Sequence, residues 1–146
     1  MVVDELKIFA EAYLCGKEAS SEALKLRLSA SNPGSMVQVV GGNAARNEAF
    51  VEMLSAQTLQ AESAGSMLAK KPEIDFLLRL AGTTQISKAI RDQGAEAGSQ
   101  FLLVVAGRTP PKGTGGLKSL ELPRRELSAA ELGRIEKAAL LNAKRA

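Results

Sequence analysis

PEIDFLLRLAG, residues 72–82, can be read in two ways, and the fold turns on which is taken. Read in twos, Ile74, Phe76, Leu78 and Leu80 fall on one side and Asp75, Leu77, Arg79 and Ala81 on the other, the alternation of a strand. Read in threes and fours, Ile74, Leu77, Leu78 and Ala81 form the i, i+3, i+4, i+7 stripe of a helix. The brevity of the run and the closing Gly82 favour a strand beginning at Pro72, and that reading turns Arg79 away from the main core face.

The flanking chain then alternates in kind. LKIFAEAYL (6–14) has strand periodicity and stops at Gly16. SSEALKLRLS (20–29) fits a helix through Leu24 and Leu28 or a strand through Leu24, Leu26 and Leu28, and is taken as a helix. Pro33 and Gly34 make a turn before the short apolar strand MVQVV (36–40). A long helix follows Gly42, with Asn43 as candidate N-cap, a stripe through Ala45, Ala49, Phe50, Met53, Leu54, Ala61 and Ala64, and a stop at Gly65.

After residue 82, Thr83 or Thr84 is placed to cap a short helix that buries Ile86, Ala89 and Ile90, sends Lys88 and Arg91 to solvent and ends at Gly94. FLLVVAG (101–107) lacks any polar residue, as a central strand covered on both faces does. The expectation is an α/β fold: one domain over residues 1–146, a small mixed β-sheet packed by helices, strand-helix alternation and a C-terminal helix.

RTPPKGTGG (108–116) reads as a mobile loop. Its KGTGG is not a Walker A loop, because Lys112 precedes the glycine it would have to follow. The C-terminal helix announces itself through Ser128 and Glu131, a capping box, with Leu127 placed to staple against Leu132. Leu132, Ile135 and Ala139 form its stripe, while Leu141 lies about 180° from Leu132 and is either an isolated surface leucine or the contact of a partner.

Composition limits the chemistry. The 146 residues include no histidine and one cysteine, Cys15, which removes His-based triads, Cys/His dyads and zinc ribbons and makes an intrachain disulfide impossible. No cluster of carboxylates suggests a metal, no cofactor motif is present, and no run is apolar and long enough to span a membrane. The acidic start MVVDELKIF does not resemble a secretory signal, so the expected compartment is the cytoplasm. Net charge is +3, and it is uneven: residues 1–107 hold 10 Lys and Arg against 12 Asp and Glu, residues 108–146 hold 9 against 4. A solvated helix face, an acidic protein or a phosphate backbone would each suit that tail.

PEIDFLLRLAGTTQISKAIRDQG followed by FLLVVAG resembles the kinase-binding subunit family of the KEOPS complex: an acidic residue leading an apolar segment, a small polar turn, an Ile-Ser-x-Ala-Ile helix, a glycine and a second apolar strand. The likeness is sharpest over Glu73–Gly107, fair over Met36–Gly65 and loose at both ends. It implies a noncatalytic subunit that binds and stimulates a small atypical kinase/ATPase and helps present tRNA, including its 3′ end, for threonylcarbamoylation of adenosine. No small-molecule substrate and no membrane partner are implied.

Carried onto this chain, the resemblance makes Arg79, Gly82, Thr83, Thr84 and Gln85 the strand-to-helix turn facing RNA, with Lys88 and Arg91 beside it. The threonines and Gly82 could equally serve only to cap the helix and make the turn. Leu132, Arg134, Lys137 and Leu141 of the basic last helix are the expected kinase interface. Few aromatic side chains, with one tyrosine and no tryptophan, argue against base stacking as the mode of RNA contact. Two rival classes remain: a stand-alone RNA-binding module, and a small enzyme using Cys15 or a lysine.

Overall fold

A computed structural model describes residues 7–115, 117 and 119–145. Among the described residues nine elements follow one another: β1 (Phe9–Cys15), α1 (Ser21–Ser31), β2 (Met36–Gly41), α2 (Glu48–Ala64), α3 (Pro72–Ala81), α4 (Ile86–Gln93), β3 (Phe101–Gly107), β4 (Ser119–Glu121) and α5 (Ala129–Arg145). The α/β class, the single small domain and the C-terminal helix stand as expected. The sheet does not: its order is β2-β3-β1-β4 and every pairing is antiparallel, so it is not mixed.

All seven residues of β3 are buried, because its pleat feeds two cores. Leu102, Val104 and Ala106 face the larger one, with Ala10 and Ala12 of β1, Met36 and Val40 of β2, and the buried sides of α2, α3 and α5. Phe101, Leu103 and Val105 face the smaller one, with Tyr13, Cys15, Val37 and Leu28 of α1. Gln38, on the edge strand β2, blunts that edge: its Oε1 accepts from Val39 N–H at 2.8 Å and its Nε2 donates to the Glu73 carbonyl at 2.8 Å.

Residues 72–81 are the principal correction. They are α3, not a strand, and the run 75–80 is buried without a break. Pro72 occupies the first turn, where its missing N–H costs nothing, Glu73 and Asp75 sit at the positive end of the dipole and Arg79 at the negative end. Gly82 closes the helix at φ +70°, with its N–H donating to the Leu78 carbonyl at 2.8 Å. Three helices, α2, α3 and α4, therefore follow β2 without an intervening strand.

Other boundaries shift less. Asn47 caps α2, accepting from Ala49 N–H at 2.9 Å, so Asn43 is not the cap. Buried Asn47 also donates to the carbonyls of Arg125 and Glu126, fastening the start of α2 to the approach to α5. The capping box of α5 is made in both directions: Glu131 N–H donates to Ser128 Oγ at 3.1 Å and Ser128 N–H to Glu131 Oε1 at 3.0 Å. The loop expected at 108–116 has no regular structure over 108–115 and is held in place, since Asn32 exchanges two hydrogen bonds with the Lys112 backbone at 2.7 and 2.9 Å. Residue 116 lies outside the described residues.

Candidate functional site

Turning residues 72–81 into a helix moves Arg79 from the surface to the interior, where it is 3% exposed. One turn earlier, fully buried Asp75 takes the Arg79 Nε at 2.7 Å on Oδ1 and a second guanidinium nitrogen at 3.3 Å on Oδ2. The carboxylate also accepts from Thr58 Oγ1 of α2 at 2.6 Å and from Leu68 N–H at 2.9 Å, so four donors meet two oxygens. Arg79 Nη1 reaches across to the Ala138 carbonyl of α5 at 3.1 Å. Arg79 is thus the centre of a buried hub joining α2, α3, the 65–71 connection and α5, and it presents nothing to RNA.

The remaining hinge residues do face outward. Thr84 and Gln85 are exposed, Gly82 and Thr83 partly so. Thr83 does not cap α4; its Oγ1 accepts from Gln85 N–H at 3.1 Å and tightens the turn. Gln85 holds the cap position without a side-chain cap bond, which leaves the first amides of α4 pointing at whatever approaches.

The short helix α4 buries Ala89 alone. Ile86 and Ile90, expected in the core, are 47% and 53% exposed, so α4 lies against α3 by one small residue and turns an apolar pair outward. Lys88 and Arg91 are exposed as expected, Arg91 loosely paired with Asp92 at 3.2 Å. Beyond the C-terminal end of α4 lies an open, polar cleft of about 500 Å³, bounded by Gly42, Asn43, Arg91, Asp92, Gly94 and Gln100.

Along α5 the expected stripe is displaced. Ile135, Ala138 and Leu141 are buried, whereas Leu132 is 47% exposed and Ala139 also faces out. The two leucines do lie on opposite sides, but the core takes Leu141, which therefore needs no partner to cover it. The centre of the buried face is Ala138, from which Ile135 and Leu141 are each about 60° away and Leu132 about 120°. On the outside, Leu132 and Leu140 form an exposed apolar pair two turns apart, with Glu136 between them.

Two members of the expected kinase interface turn inward at their tips. Arg134, though mostly exposed, donates through Nη2 to the Leu80 carbonyl at 2.8 Å and lies 5.0 Å from the centroid of the Phe50 ring. Lys137 lies across the hinge: a Cβ built on Gly82 would come within 3.3 Å of its Cε and 3.4 Å of its Nζ. The turn and the last helix, distant in sequence, thus meet where Lys137 stands beside Gly82.

Sequence reasoning passed over Asp75, although an Asp and an Arg four residues apart are the signature of a helical ion pair. The single cysteine is buried in the smaller core, and burial pushes its thiol above the ordinary range. A thiol so placed is a poor nucleophile. Among the described residues no three His, Cys, Asp or Glu side chains converge on a point where a metal could sit, and no helix is long and apolar enough to cross a membrane. No protein-family model matches the chain, and no curated protein matches it.

Proposed function

We propose that this chain is a noncatalytic accessory subunit of a cytoplasmic KEOPS-type tRNA threonylcarbamoyladenosine complex, binding and stimulating the small atypical kinase/ATPase and helping to hold tRNA by its 3′ end. The reading starts from the resemblance carried by residues 73–107. One observation does most to support it: Lys137 of α5 lies beside Gly82 of the exposed polar turn 82–85, next to the uncapped start of α4, a helix whose Ile86, Lys88 and Ile90 are also exposed. Free helix-terminal amides and lysine ammoniums suit phosphate oxygens, and the Gln85 amide suits a base edge or ribose hydroxyl.

The kinase side of the proposal rests on the outer face of α5. Leu132 and Leu140 replace Leu141 as the apolar contacts, while Arg134 and Lys137 are turned toward the end of α3 and Gly82 and are not counted in this face. Arg79 has no part in either surface.

Co-expression with the kinase/ATPase tests this reading. The chain is expected to copurify with the kinase in stoichiometric amount and to raise its ATPase rate, and Leu132→Asp with Leu140→Asp to abolish both effects while the chain stays folded. A kinase that neither copurifies nor responds would remove the proposal.

A further inference from the structure

Among the described residues, three contacts bind the end of α3 and the hinge to the last helix. Arg79 donates to the Ala138 carbonyl, Arg134 donates back to the Leu80 carbonyl, and Lys137 lies over Gly82. Leu80 is in the last turn of α3, where carbonyls lack intrahelical donors, so Arg134 supplies a bond the helix cannot make for itself. Gly82 N–H and Thr83 N–H both return to the Leu78 carbonyl, at 2.8 and 3.2 Å, within the same turn. The turn thus closes on the same last turn of α3 that Arg79 and Leu80 fasten to α5.

Releasing α5 uncovers little of the core among the described residues. The helix gives the core Ile135, Ala138 and Leu141 among the described residues, while the sheet, α2 and α3 supply most of the rest. Segments with few buried apolar contacts open well below the cost of global unfolding. When α5 lifts, Leu80 loses its donor, Arg79 loses an acceptor, and Gly82 loses the lysine stem that covers it.

From this reciprocal clasp we infer that α5 and the 82–85 turn form one cooperative unit, which opens and closes together while the sheet stays intact. A partner clamped on α5 then orders the turn, and a ligand on the turn steadies α5; linkage makes the two effects equal in size. The identity of those two ligands rests on the function proposed above, but the unit itself is a property of the isolated chain.

Native-state hydrogen exchange on the whole chain, alone in solution across a series of low denaturant concentrations, tests it without either ligand. The Gly82, Thr83 and Gln85 amides should merge with those of α5 into one opening below that of β3. Arg134→Ala, which removes a charge-assisted bond from an exposed position, should speed exchange at both places by a common factor of about ten and leave β3 unchanged. Leu132→Ala, on the same helix but outside the clasp, should change neither. If Arg134→Ala speeds α5 while Gly82 and Thr83 keep their wild-type rates, or if the two sets open along separate curves, the inference is overturned.

Discussion

Asp75 and Arg79, one helical turn apart on α3, face each other at 2.7 Å where solvent scarcely reaches. Separating such a pair leaves a buried charge without its complement, which costs about 3–5 kcal/mol. Arg79→Ala is therefore expected to lower stability by that amount in urea denaturation, and any loss of RNA binding in this variant should follow unfolding. Replacing both residues with apolar ones of similar volume, Asp75→Leu with Arg79→Met, should recover much of the loss, although Leu68 N–H and Thr58 Oγ1 then lose their acceptor.

The leucines of α5 divide cleanly. Leu141→Ala should cost about 2–5 kcal/mol, as for a leucine removed from a packed core, while Leu132→Ala and Leu140→Ala should fall within about 0.5 kcal/mol of wild type. Thermal or urea denaturation of the three variants side by side decides it; equal losses would contradict the assignment of faces.

At Gly82 a side chain meets two penalties. The backbone is left-handed, at φ +70°, and a new Cβ would press on the Lys137 stem. Gly82→Ala should cost about 1–2 kcal/mol from the backbone alone. Lys137→Ala made in addition should relieve part of the crowding, and a double-mutant cycle measures that part.

The capping box gives a pH signature. Hydrogen bonds from Ser128, the backbone N–H first, hold the Glu131 carboxyl below its usual range. A carboxyl whose folded pKa is depressed adds stability that is fully present above its unfolded pKa and is lost as pH falls through the folded one. The stability gap between wild type and Glu131→Gln should thus be widest at neutral pH and close under acid conditions. Ser128→Ala should cost about 0.5–2 kcal/mol at neutral pH.

Much of this fold can be read from residue order, and the exceptions have physical causes. β1, β2 and β3 are recognisable because strands that feed one or two cores carry alternating or continuous apolar runs. α3 is hidden because its run 75–80 is buried without a break, so a period of two fits it as well as the helical stripe of Ile74, Leu77, Leu78 and Ala81; its interior polar residues are spent on each other. The end signals were present nonetheless, in Pro72 at the start, acids in the first turn, Arg79 in the last and Gly82 after it. In α4 the apolar stripe is real but points outward, since periodicity says which residues share a face and not what covers that face. In α5 the small Ala138 marks the centre of the buried side, which a search for large apolar residues overlooks. β4 has three residues and exists through its pairing with β1, a long-range effect with no local pattern. Of the candidate site, the exposure of Thr84, Gln85, Lys88 and Arg91 was legible, whereas Arg79 followed the misread strand into the interior.

The most direct test of the central claim is tRNA retention by the reconstituted complex, measured against salt with wild-type chain and with Lys88→Glu and Lys137→Glu together. If the turn and its lysines meet tRNA phosphates, affinity falls, the slope of log affinity against log salt shrinks by about 2, and kinase copurification stays whole. Unchanged tRNA affinity and slope in a complex that still assembles would contradict the account.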